Sequence, residues 1–232
     1  MEHPIGVIGS MGPMASQLFY RLVTEHTAAQ CDQDHVEMIL ISDTTMPDRT
    51  TAILSQIFET PRKQLLEDAR MLERCGCVAI AITCNTAHFF ADMIEKELSV
   101  PILHMIRETA DSLARQHPGS LVGIMATDGT VRTGLYQRAL EKRGLRPFLP
   151  SESIQREVMY QIYGRIKKGL PYDKESWTRI ESAYRQAGCT AVLLACTELS
   201  VIKADEQMGS WFVDPMEVLA RRVIEYSGRV YR

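Results

Sequence analysis

The chain has 232 residues, six cysteines and a formal net charge of −3. That length accommodates one large α/β domain or two small ones. The absence of a basic run argues against a nucleic-acid footprint, and no apolar stretch reaches the ~18 residues that a bilayer span needs.

Residues 1–4 lead directly into an apolar run at 5–8, which reads as a strand and not as a signal peptide. With no export signal in a chain this large, the even cysteine count favours free thiols in a reducing cytoplasm over a disulfide scaffold. The first strand closes on Gly9-Ser10-Met11-Gly12-Pro13. Glycines at a strand-to-helix turn let backbone approach a ligand, and the free N–H groups there favour an anion. The pattern is not G-x-G-x-x-G, so a dinucleotide is poorly supported, and a tight turn with no ligand is an equal alternative. Pro13 suits the first turn of a helix through Leu18, Phe19, Leu22 and Val23. A second strand spans 36–42, followed by a polar loop at 43–50 that contains Asp48 and Arg49. Loops at the carboxyl ends of parallel strands carry the ligand contacts of α/β sheets. The Arg49 guanidinium could clamp a carboxylate, with Asp48 orienting it; a solvated surface pair is the competing reading. Helices are expected over 53–58 and 62–75, with Gly76 as the stop.

Residues 78–88 read V-A-I-A-I-T-C-N-T-A-H. This is a buried parallel strand ending on Cys84, with a helix starting at once from Asn85-Thr86 and running to about residue 98. A short strand at 101–103 leads to His104, read as a packed structural residue or, less simply, as a ligand or base. A helix follows through Ile106, Ala110 and Leu113. Beyond Pro118-Gly119 come a strand at 121–126, the turn Thr127-Asp128-Gly129-Thr130 and a helix over 131–143 that stops at Gly144. A short edge segment at 147–150 precedes a helix opened by Ser151 that ends near Lys167-Lys168-Gly169. A helix at 175–186, a strand ending on Cys196, a short helix from Thr197, a strand at 211–213 and an amphipathic helix at 215–226 complete the order.

The two cysteine strands align without gaps at an offset of 112 residues: Gly76 with Gly188, Cys77 with Cys189, Ala79 with Ala191, Cys84 with Cys196. The turn after Gly6 resembles that after Gly123, and 100–105 resembles 210–215 in pattern. The fold expected is therefore α/β: two similar doubly wound parallel-sheet domains related by pseudo-twofold symmetry, with a site in the cleft between them. Residues 1–99 plus 210–232 are assigned to the first domain and 100–209 to the second.

A cysteine just after a buried strand and just before a helix sits where the helix dipole and free N–H groups lower a thiol pKa from ~8.5. Two such sulfurs on opposite faces of a stereocentre could remove a proton from one side and return it from the other. Asn85, Thr86 and Thr197 would hold a carboxylate and stabilise developing charge. The competing reading is a pair of buried structural thiols, to which Cys75, Cys77 and Cys189 are assigned. Cys31 has no partner pattern, and no zinc-ligand spacing is present.

At A-I-T-C-N-T-A-H-F and V-L-L-A-C-T-E-L-S-V-I the chain resembles the two cysteine signatures of the aspartate/glutamate racemase family, the cofactor-independent amino-acid racemases. The C-T-E form and the M-G-P turn resemble the aspartate branch, where glutamate racemases usually carry C-T-H. The resemblance implies a two-base mechanism on Cys84 and Cys196, with no pyridoxal phosphate, metal or nucleotide. It implies an acidic amino acid as substrate, aspartate first and glutamate second, and a homodimer. Asp48 and Arg49 match a loop pair linked to the substrate side-chain carboxylate, and Lys167, or its neighbour Lys168, matches a substrate-anchoring lysine. Met11, Asn85, Thr86 and Thr130 match substrate-contact positions, and Thr197 and Glu198 of C-T-E complete the binding set. Ser10 stands where relatives often carry glycine, which puts the contact at Met11 in question. An isomerase of a related diacid, such as a maleate isomerase using one cysteine as nucleophile, and a non-catalytic amino-acid-binding protein are the alternatives.

Overall fold

The computed structural model describes residues 3–232; Met1 and Glu2, the start of the segment read as leading into the first strand, lie outside them. In chain order the first half contains β1 (Ile5–Gly9), α1 (Pro13–His26), β2 (Met38–Ser42), α2 (Arg49–Leu54), α3 (Glu59–Arg74), β3 (Ala79–Ile82), α4 (His88–Ile94), β4 (Ile102–Leu103) and α5 (Met105–Gln116). The second contains β5 (Leu121–Ala126), α6 (Asp128–Thr133), α7 (Leu135–Glu141), β6 (Arg146–Phe148), α8 (Glu152–Met159), α9 (Lys174–Gln186), β7 (Ala191–Ala195), α10 (Thr197–Glu206), β8 (Phe212–Val213) and α11 (Pro215–Tyr226). No helix among the described residues is long and apolar enough to cross a membrane.

The strands form two four-stranded parallel sheets with the same order, β2-β1-β3-β4 and β6-β5-β7-β8. The internal repeat is thus a repeat of topology. The central strands β1, β3 and β7 are buried along their whole length, as continuous apolar runs covered by helices on both faces require. One matched glycine has the same task in each half. A Cβ on Gly6 would meet Leu72 Cδ1 of α3 at 2.8 Å, and one on Gly123 would meet Tyr184 Cδ1 of α9 at 2.5 Å. Leu72 and Tyr184 are themselves 112 residues apart, so both halves seat a helix on the central strand in the same way.

The closing helices trade places. Met216, Leu219, Ala220, Val223 and Ile224 of α11 pack with Ile5, Val7, Phe19 and Val23 of the first half. Ile106, Ala110 and Leu113 of α5 pack with Val122, Ile124 and Tyr136 of the second. The division expected at 99/100 and 209/210 is corrected at two short strands. Residues 102–103 pair with β3 and residues 212–213 with β7, so each half keeps its fourth strand and the chain crosses over only after it.

Four helices differ from the sequence reading in ways that shape the site. The Asp48 carboxylate accepts from Thr51 N at 2.8 Å and caps α2 at Arg49, four residues earlier than expected, so Arg49 sits in a helical first turn and not in a loop. Residues 85–87 form a turn and α4 begins only at His88. Gly134, at φ 66, divides the helix expected over 131–143 into α6 and α7. The helix expected to run to Lys167 leaves α geometry at Tyr160, continues as a π-helical segment, Tyr160–Arg165, and ends in a 3-10 turn, Ile166–Lys168.

Candidate active site

The carboxyl ends of β1, β2 and β3 meet those of β5 and β7 across the cleft. There Met11, Asp48, Arg49, Thr50, Cys84, Asn85 and Thr86 from the first half, with Thr127, Tyr163, Lys167, Cys196, Thr197 and Glu198 from the second, line one small chamber. Its volume is about 10 Å3, room for about one water. Both sulfurs face it, and each residue is only 6% exposed. Met11, Asp48, Arg49, Lys167 and Glu198 also line a second, more open cavity of about 260 Å3. Those five residues are the wall between chamber and outer cavity.

In the first half the wall is held by Arg49. Its Nη1 donates to Pro47 O at 2.9 Å and its Nη2 to Met11 O at 3.3 Å, while Nε is buried with no hydrogen-bond partner. Burial alone would lower its pKa, but facing Cys84 and then Asp48 outweigh it and the guanidinium is held more firmly charged. Asp48 is kept below the usual carboxylate range: burial opposes this, and hydrogen bonds from the Thr51 backbone and side chain and from Tyr163 overcome it. Ser10 takes the left-handed conformation at φ 65 that glycine would adopt freely. Its N–H donates to Ser16 Oγ at 2.8 Å, its hydroxyl pairs with Ser42 Oγ at 2.5 Å, and Met11 still faces the chamber.

Cys84 lies two residues beyond β3, at the head of the 85–87 turn. Because that turn is not yet helix, Asn85 and Thr86 are free to act across the cleft. Asn85 Oδ1 accepts from Tyr136 OH at 2.5 Å, leaving its buried Nδ2 without a partner. Thr86 Oγ1 lies 2.8 Å from Thr130 Oγ1 and 3.1 Å from Thr127 Oγ1. Behind the sulfur, His88 fixes the turn. Met105 N–H donates to its Nε2 at 3.1 Å, so its Nδ1 carries the proton and donates to Cys84 O at 2.8 Å. Burial, then His104, push its pKa down to about 3, which keeps the ring neutral. His104 is not in the chamber; its Nδ1 caps α5 by accepting from Arg107 N at 3.4 Å.

Cys196 is the N-cap residue of α10, as expected. The expected fall in its pKa is corrected. Burial, then the Glu198 carboxylate facing it, push the thiol well above the ordinary range, and Lys167 opposes them only in part. Cys196 Sγ donates to Glu198 Oε2 at 2.9 Å, and Lys167 Nζ lies 3.0 Å from Glu198 Oε1. Burial lowers the Lys167 pKa, but Glu198 and Cys196 more than compensate and raise it. Tyr163, on the π-helical segment, donates to Asp48 Oδ2 at 2.9 Å across the cleft, and its ring lies 5.2 Å from Lys167 Nζ. Thr197 Oγ1 is buried without a partner.

Of the residues singled out from sequence, Met11, Asp48, Arg49, Cys84, Asn85, Thr86, Lys167, Cys196, Thr197 and Glu198 line the chamber. Thr130 stands behind Thr86. Between the two lysines the structure separates Lys167, which lines the chamber, from Lys168, which does not. Thr50, Thr127 and Tyr163 were missed. Thr127 was signalled by its place at the end of β5, matching the position at which β1 gives way to its turn; Tyr163 had no comparable signal.

Two matching parallel-sheet lobes, each delivering one cysteine from the end of its third strand to a shared interlobe chamber, define the class: a doubled α/β protein with a dithiol centre. The family description "Asp/Glu/Hydantoin racemase" matches residues 8–223, and the chain belongs to that family. Its members are isomerases that work without pyridoxal phosphate. The broad specificity amino-acid racemase RacX of Bacillus subtilis is 26% identical over 226 residues, covering 95% of this chain and 96% of that relative. Among solved structures, Picrophilus torridus aspartate racemase superposes with a TM-score of 0.80 at 28% identity, covering 99% of this chain and 96% of that one. Glutamate racemase of Francisella tularensis, solved in complex with D-glutamate, shares the fold, with a TM-score of 0.70 at 16% identity over 97% of this chain and 81% of that one.

Proposed function

We propose that this racemase inverts the Cα of an acidic amino acid, aspartate first and glutamate second, by two-cysteine acid/base chemistry. The observation that carries this reading is a thiol from each lobe on one chamber whose wall also holds unpaired buried donors, Arg49 Nε and Asn85 Nδ2. One sulfur, as thiolate, takes the Cα proton. The electron pair of the broken C–H bond moves onto the α-carboxylate, where buried donors stabilise it without reorganisation. The other sulfur, as thiol, gives its proton to the opposite face. Arg49 and Lys167 suit a substrate with two carboxylates.

The chamber must widen for this, because one water fills it. Lys167 and Glu198 stand on the outer-cavity wall, so separating them opens the way in, and an incoming carboxylate replaces Glu198 on the lysine. The family resemblance adds a homodimer to this reading, which sedimentation of the purified chain checks.

The test incubates L-aspartate with enzyme in deuterated water, following ellipticity and the Cα proton signal. Ellipticity is expected to decay to zero as deuterium enters Cα. Cys84→Ala and Cys196→Ala are each expected to slow inversion by ~10²- to 10⁴-fold. Neither inversion nor exchange with any acidic amino acid would overturn the proposal.

A further inference from the structure

Glu198 belongs to both cavities. Its carboxylate touches the Cys196 sulfur at 2.9 Å on one oxygen and Lys167 Nζ at 3.0 Å on the other, and it lines the outer cavity as well as the chamber. Glu198 is 4% exposed and Cys196 is 6% exposed. With room for about one water, the chamber gives Cys196 little solvent with which to exchange a proton.

The other titratable groups facing Cys196 are Cys84, Tyr163, Tyr136 and Lys167. Tyr136 is committed to Asn85 and Tyr163 to Asp48, and burial raises the pKa of both phenols, so neither is an acid near neutral pH. Lys167 is a cation, and Cys84 is the opposing sulfur. Glu198, unlike these, combines an acceptor oxygen against the sulfur with a face on the outer cavity.

We propose that Glu198 is the proton port of Cys196, passing protons between the buried sulfur and the outer cavity between turnovers, when Lys167 is paired with it. This rests on the racemase reading for the reaction it serves. In the outward step the S–H bond breaks, its electron pair stays on sulfur, and an O–H bond forms on Glu198 Oε2. The carboxylic acid then loses its proton to water in the outer cavity. The inward step, after Cys196 has protonated Cα, is the reverse. At rest the proton is on sulfur, so Cys196 enters the cycle as the acid.

Glu198→Gln tests this with two readouts that move in opposite senses. Without substrate, iodoacetamide alkylation of Cys196 is mapped by peptide mass spectrometry against pH, with the equally buried Cys84 as internal reference. Losing the carboxylate that holds the thiol proton is expected to move the onset to lower pH and raise reactivity at neutral pH about tenfold. In turnover of aspartate, kcat is expected to fall ~10²-fold while KM stays within about threefold. Glu198→Asp, charged but one methylene short, is expected to show both changes in smaller measure, and it serves if the amide variant fails to fold. An unmoved Cys196 alkylation profile, or a raised KM with kcat retained, would overturn the port. If the unaltered protein inverts no acidic amino acid, the racemase reading falls, while the alkylation readout still decides whether Glu198 holds the Cys196 proton.

Discussion

Arg49 carries several demands at once in the chamber wall. Two of its nitrogens bind backbone carbonyls, of Pro47 and Met11, and the third is buried without a partner. Only a planar fork meets all three directions; an ammonium meets one. Arg49→Lys should therefore lower kcat/KM for aspartate by about 10- to 100-fold, since a hydrogen bond to a charged group is worth roughly 1.5–3 kcal/mol. Steady-state kinetics with a parallel melting curve checks it. At this scale the sequence was most informative where chemistry is local. Cys84 and Cys196 could be read because strand, thiol and turn are contiguous and occur twice. Tyr163 could not, because what it does depends on Asp48, 115 residues away. Glu198 was read as a substrate contact, and nothing in C-T-E says that its carboxylate turns back onto the sulfur two residues before it.

The elements depart from expectation mainly at their ends. Residues 49–52 look like a continuation of a polar loop until the Asp48 cap is seen, and a single capping hydrogen bond moves the start of α2 by a turn. The π-helical segment that places Tyr163 beside Lys167 has no compositional mark, and π geometry within helices recurs at functional sites. The cap of α11 is different: Asp214 accepts from Met216 N at 2.8 Å and from Ser200 Oγ at 2.8 Å, yet burial and then Glu217 push its pKa up to about 7. A carboxyl raised above its ordinary 3.8 binds a proton in the native state that the unfolded chain has released. Its favourable contribution is complete below about pH 3.8 and is lost as pH rises through about 7. That difference corresponds to roughly 4 kcal/mol. Asp214→Asn should flatten the fall in stability across this window, leaving the variant the more stable form at alkaline pH. Urea unfolding at several pH values measures it.

For the whole molecule, the repeat at an offset of 112 residues made the doubled architecture readable, and the two identical strand orders agree with it. What the repeat could not give is the seam. Thr86 against Thr127 and Thr130, Tyr136 against Asn85, and Tyr163 against Asp48 have no counterpart in a one-half pattern. Nor does the pressing of α2 onto α6, where a Cβ on Gly129 would lie 2.8 Å from Thr50 Cα. Because the obstacle is backbone, Gly129→Ala has to push the lobes apart. Overpacking of this kind costs about 1–3 kcal/mol, and the thermal midpoint and kcat/KM should fall together. A loss of stability with catalysis intact would show that the seam does not set the chamber geometry.

The exchange of closing helices bears on how the chain folds as it is made. The first sheet leaves the ribosome early, but the face on which Ile5, Val7, Phe19 and Val23 pack lacks α11 until residues 215–226 arrive. The lobe synthesised first is therefore the lobe finished last, and a nascent chain halted after β7 holds a half-clothed sheet.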